Sequence, residues 1–132
     1  MGSTRVFVFG VGLTVMAMAL SLAGLAFRQS TAPFEPGACW RMFRESGEAP
    51  RFVRIANDAR NMETCAARLE AVRLMGTPEV EGAYQGFFIF VDEREIVTSR
   101  SLHEKRFPVL DVEGRRRIDD AILMLIRAKK SP

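Results

Sequence analysis

Phe87-Phe88-Ile89-Phe90-Val91 (FFIFV) is a run of five apolar residues in the C-terminal half of the chain. Successive side chains of a strand point to opposite faces, so this run is apolar on both faces and predicts a central strand that is covered on each side. Asp92 to Glu95 is polar turn material, and Ile96 to Thr98 resumes a strand-like pattern. We therefore expect a β-hairpin here, followed by an edge segment from Arg106 to Leu110 that its proline keeps short.

Two amphipathic helices are predicted from capping residues and from apolar side chains three or four positions apart. The first begins after Asp58 or Asn61 and ends near Gly76. Its core-facing stripe comprises Met62, Cys65, Leu69 and Val72. The second helix begins after Asp111 and runs to about Lys129. Its predicted buried stripe comprises Ile118, Ala121, Ile122 and Leu125.

An upstream hairpin is predicted from Cys39 to Phe43 and from Phe52 to Ala56, with turn residues between the two runs. The element order ββαββα predicts a small α+β domain, in which an antiparallel sheet carries two helices on one face. The other face of the strand at 87–91 then needs a cover of its own. Either Trp40, Phe52 and the linker fold over it, or a partner protein does.

Residues Val6 to Phe27 form a run of 22 positions without an ionisable side chain. As a helix this run covers about 33 Å, enough to cross a hydrocarbon core of about 30 Å. We expect residues 1–28 to be an N-terminal tail with a single transmembrane anchor, 29–38 to be a proline-containing linker, and 39–132 to be the folded domain. A signal peptide cleaved near Gly24-Leu25-Ala26 is the alternative.

The two cysteines, Cys39 in the first strand and Cys65 on the core face of the first helix, bear on the compartment. An even pair without Cys-x-x-Cys spacing is typical of one structural disulfide in an oxidising compartment, whereas two free thiols would suit the cytoplasm. The chain is rich in Arg relative to Lys, as proteins of GC-rich bacteria are. We therefore predict a bacterial inner-membrane protein with a cytoplasmic N-terminus and a periplasmic C-terminal domain.

The charged residues favour neither nucleic-acid binding nor catalysis. Without Arg5 and Arg28, which flank the anchor, 17 basic residues stand against 16 acidic ones, too even a balance for a nucleic-acid-binding domain. The single histidine, His103, lies in a polar loop without further metal ligands, so we expect no metal, no cofactor and no enzyme activity. The acidic pairs Glu93/Glu95 and Asp119/Asp120 are interpreted as solvated charge.

The sequence therefore predicts a non-catalytic accessory or structural subunit of a larger inner-membrane complex, with the bilayer and other membrane-protein subunits as partners. The candidate interaction surface comprises Trp40, Tyr84, Gln85, Phe88 and Phe90. The alternative is a binding module, anchored or secreted, for an envelope ligand such as cell-wall material or a peptide. The cations of the last helix are interpreted as a solvated face, or as a contact for anionic headgroups or an acidic partner; they are Arg115, Arg116, Arg117, Arg127, Lys129 and Lys130.

Overall fold

The structure is a computed structural model that describes residues 31–131. Within this range the chain forms an α+β domain with strands β1 (Cys39–Phe43), β2 (Arg51–Ala56), β3 (Val80–Tyr84), β4 (Phe87–Val91), β5 (Ile96–Ser99) and β6 (Phe107–Pro108), and helices α1 (Met62–Leu74) and α2 (Val112–Lys130). Every pair of neighbouring strands is antiparallel, in the order β2-β1-β3-β4-β5-β6. The predicted α+β class with an antiparallel sheet is confirmed.

The predicted anchor, Val6 to Phe27, lies outside the described residues. Between residues 31 and 131, no helix combines the length and the apolar character needed to cross a bilayer.

Strand β4 is apolar on both faces, and both faces are covered. Ile89 and Val91 pack in a cluster beneath α1, while Phe88 and Phe90 belong to a second cluster on the opposite face of the sheet. The second cluster also contains Ala32, Met42, Ala83 and Val97, with Trp40, Phe52 and Leu102 packed against it. Linker and domain residues thus cover this face, which confirms the first of the two alternatives expected from the sequence.

Strand β3 joins the two predicted hairpins into one sheet, and the sequence pattern does not predict it. Its central residue, Gly82, is poor strand material because glycine offers no side chain to pack. The structure explains the glycine, since a Cβ at this position would lie 2.5 Å from Cδ1 of Leu69 and would also strike the carbonyl oxygen of Trp40. Close packing of α1 on β3 therefore requires a residue without a side chain.

Both helices begin at residues that the sequence identifies as caps. The side chain of Asn61 accepts a hydrogen bond from the Thr64 backbone N–H at 2.9 Å, and that of Asp111 accepts one from Gly114 at 2.6 Å. Helix α1 ends at Leu74, close to the predicted end. Both cap predictions are confirmed. Each cap depends on a hydrogen bond between residues three positions apart, so the local sequence is enough to predict it.

The two helices do not cover the sheet together as predicted. Helix α1 packs on β1, β3 and β4, whereas α2 packs mainly on the C-terminal part of α1. The predicted buried stripe of α2 is therefore wrong in part: Ile118 and Ile122 are half-buried, but Ala121 and Leu125 are exposed. Within residues 31–131, no other helix or strand covers the half of the apolar α2 face that Ala121 and Leu125 form.

Candidate interaction surface

A disulfide between Cys39 and Cys65 joins β1 to α1, with a Cα–Cα distance of 5.4 Å. Both residues are fully buried in the cluster beneath α1. The prediction of a structural disulfide is confirmed. This bond and the close contact at Gly82 hold α1 on the sheet, and α1 is the surface on which α2 lies.

Three of the five predicted interaction residues meet on the sheet face opposite α1. Phe88 is fully buried, and Phe90 is buried beneath the guanidinium of Arg106, which lies 3.9 Å from the ring centroid. Trp40 is half-buried beneath Arg54, whose guanidinium carbon lies 4.7 Å from its ring. The domain's own side chains thus cover the apolar parts of this candidate surface.

The other two predicted residues lie elsewhere. Tyr84 belongs to the cluster beneath α1, and its hydroxyl donates a hydrogen bond of 2.8 Å to the carbonyl of Ala59. Gln85 follows in the turn after β3 and donates from Nε2 to the Tyr84 hydroxyl at 3.1 Å. The structure therefore does not bring the five residues together on one exposed surface.

A buried cluster of charges fastens α2 to α1. Glu70 is fully buried, and its carboxylate accepts hydrogen bonds from Arg73 at 2.9 and 2.7 Å. Arg115, in the first turns of α2, donates to Glu70 at 3.4 Å and also to the carbonyl of Asp92 in the β4–β5 turn. One helical turn later, Asp119 lies 3.8 Å from Arg115. The sequence-based interpretation of Arg115 as solvated is wrong, because its guanidinium finds a buried partner in Glu70, 45 residues earlier. Asp119 is half-buried beside Arg115, whereas Asp120 is exposed as expected.

The same cluster shifts the pKa values of its carboxyl groups in opposite directions. Burial, and then the hydrogen bond and negative charge of Glu70, raise the pKa of Asp119 to about 6. Burial also opposes ionisation of Glu70, but hydrogen bonds with Arg73 and Asp119 and the positive charges of Arg115 and Arg73 outweigh it and lower the Glu70 pKa. Glu70 is therefore the carboxylate that holds the two guanidinium groups together.

Beyond this cluster, an open cleft of about 520 Å³ lies between the C-terminal half of α2 and the end of α1. We call it the helical cleft; its lining residues are Ala71, Met75, Ile122, Leu125, Ile126, Ala128 and Lys129. The side chains of Met75 and Leu125 are 68% and 69% exposed, and Met124 beside them is 68% exposed. Lys129 lines the cleft, and the last turn of α2 also carries Arg127 and Lys130. Sequence reasoning placed Leu125 in the core, so the cleft was missed.

His103, the sole histidine, is exposed in the loop between β5 and β6. Among residues 31–131, no group of three or more His, Cys, Asp or Glu side chains is arranged to hold a metal ion. Comparison of the chain with protein-family models, with curated proteins and with solved structures finds no match.

Proposed function

We propose that this protein is a non-catalytic, single-pass membrane protein that serves as an accessory subunit of a larger bacterial inner-membrane complex. The apolar run from Val6 to Phe27 supports the membrane anchor. The disulfide between Cys39 and Cys65 supports a periplasmic domain, because such bonds persist in oxidising compartments. In this proposal the α+β domain is the part that contacts a partner subunit.

The observation that carries the proposal is the exposed apolar surface of the helical cleft. A contiguous exposed apolar patch is one mark of a protein interaction site. Covering one Leu or Met side chain contributes about 1.5–3 kcal/mol, so a partner that covers Met75 and Leu125 gains several kcal/mol of contact energy. The neighbouring cations suit a partner whose apolar contact is flanked by acidic groups.

The position of the helical cleft suits a partner outside the bilayer. The linker reaches the sheet at the turn between β3 and β4, where the Gly86 backbone N–H donates to the carbonyl of Pro33 at 3.0 Å. Helix α1 ends beside the start of β3, at the opposite end of that strand. With the anchor embedded, the linker end of the domain faces the membrane and the helical cleft faces away from it.

The substitution Leu125→Asp tests this proposal in native membranes. We expect the unsubstituted chain, extracted in a mild detergent, to migrate with a larger complex, and the Leu125→Asp chain to migrate alone. The matched control is Val112→Asp, because Val112 is 87% exposed at the far end of α2 and outside the cleft. Both variants should unfold at the temperature of the unsubstituted chain, since neither side chain is buried. An unsubstituted chain that migrates as a lone monomer would contradict the proposal.

A further inference from the structure

We propose that the end of the sheet nearest the linker docks on the anionic surface of the bilayer that holds the anchor, an inference that rests on the proposed membrane anchorage. The docking residues form what we call the sheet-end surface, which comprises Phe34, Phe87, Arg100, Lys105 and Phe107. The domain would thus lie on the membrane through one end and offer its helical cleft at the other.

The fold gathers these residues from four separate segments. Phe87 opens β4, Arg100 directly follows β5, and Phe107 opens β6, so all three lie at the same end of the sheet because these strands alternate in direction. Phe34 of the linker lies against the turn between β3 and β4 at that end: a Cβ at Gly86 would lie 3.2 Å from its ring. Phe34 is 74% exposed and Phe107 is 56% exposed.

The chemistry of this end is aromatic and basic. A groove of about 510 Å³ lies here, lined by Phe87, Thr98, Ser99, Arg100, Glu104, Lys105 and Phe107. The Arg100 guanidinium lies 5.7 Å from the Phe87 ring centroid, and the Lys105 ammonium lies 5.7 Å from that of Phe107. The loop at 100–106 carries three Arg or Lys residues against one carboxylate. Aromatic rings beside Arg and Lys are typical of segments at a membrane interface, where the rings enter the headgroup layer and the cations meet anionic lipids.

The length of the linker brings this surface to the bilayer. Phe27 ends the apolar run and Thr31 begins the described domain, so at most about 14 Å of extended chain separates the two. The sheet-end surface is thereby held at a high local concentration next to the headgroups, and even weak contacts become populated. A second copy of the chain is a poorer occupant, because it would bring Arg100 and Lys105 close to their own counterparts.

Quenching by brominated lipids tests the docking with the full chain in vesicles. The chain is reconstituted in phosphatidylcholine alone or with added phosphatidylglycerol, in each case with and without bromine on the acyl chains. Phe107→Trp reports on the sheet-end surface, and Phe34→Trp provides a second reporter. Met124→Trp is the matched control, since Met124 is 68% exposed on α2 at the other end of the domain. The signal of Trp40, the only native tryptophan, is subtracted with the unsubstituted chain.

We expect strong quenching of Phe107→Trp and Phe34→Trp in vesicles with phosphatidylglycerol, and little quenching of Met124→Trp. Adding Arg100→Gln and Lys105→Gln should lower the ratio of docked to undocked domain roughly thirtyfold, because each of the two cations loses its attraction to the anionic lipid. A chain that does not float with the vesicles overturns both the anchorage and this inference. A chain that floats, but in which the sheet-end reporters are quenched no more than Met124→Trp, overturns this inference alone. Quenching that needs no phosphatidylglycerol, or that depends on protein density as in self-association, overturns it as well.

Discussion

Removal of the disulfide is the perturbation whose effect follows most directly from the structure. The bond joins residues 26 positions apart, and the loop-closure relation assigns about 3.5 kcal/mol at 25 °C to a loop of that length. We therefore expect Cys39→Ala/Cys65→Ala to lower the free energy of unfolding of the domain by about that amount. For a domain of this size the loss corresponds to a fall in Tm of roughly 15–25 °C.

Urea unfolding of the full chain in detergent micelles measures this loss. The fluorescence of Trp40 is a suitable signal, because it is the only tryptophan and it lies next to Cys39 in β1. The unsubstituted chain under reducing conditions is the matched control, since it loses the covalent bond but keeps both sulfur atoms. We expect the reduced chain to lose about 3.5 kcal/mol. The double variant should lose slightly more, because both side chains are fully buried and alanine fills less space.

This expectation is contradicted if the free energies of unfolding of the reduced chain and the double variant lie within about 1 kcal/mol of that of the oxidised chain. The bond would then not constrain the unfolded state, as happens when the denatured ensemble is already compact around the same contacts. A loss in the double variant but not in the reduced chain would assign the effect to packing of the sulfur atoms.

Two further predictions concern charge and packing. The raised pKa of Asp119, about 6 against an ordinary 3.8, means that ionised Asp119 costs stability, and that this cost appears as pH rises from about 4 through 6. We expect Asp119→Asn, which stays neutral beside Glu70, to gain stability relative to the unsubstituted chain between pH 4 and 7 in urea titrations, whereas the exposed Asp120→Asn should show no such trend. For Gly82→Ala we expect a loss of about 1–3 kcal/mol in the same titration, because the new methyl group would lie 2.5 Å from Leu69; an unchanged midpoint would contradict the account of β3.

Most of what the sequence predicts correctly depends on neighbours in the chain or on one strong pattern. The caps at Asn61 and Asp111 bond to backbone groups three residues away. The hairpin of β4 and β5 is signalled by an apolar run and a polar turn. The disulfide between Cys39 and Cys65 could be predicted because the chain has only two cysteines, one in a predicted strand and one on the core face of a predicted helix. The helical cleft could not be predicted in this way. An amphipathic stripe predicts that one face of a helix is covered, but it does not identify what covers that face.

Local patterning was thus sufficient for the α+β class, the antiparallel sheet and the helix starts, since each of these reflects the period or spacing of residues close together in the chain. The disulfide followed instead from the number of cysteines, because a chain with two of them offers one possible pairing. Tertiary structure alone decided the place of β3 and the place of α2. Gly82 is required by the approach of Leu69 across the layers, and Arg115 leaves water because Glu70, 45 residues earlier, offers a buried carboxylate. Such long-range contacts leave no period in the sequence, and it is they that expose the helical cleft.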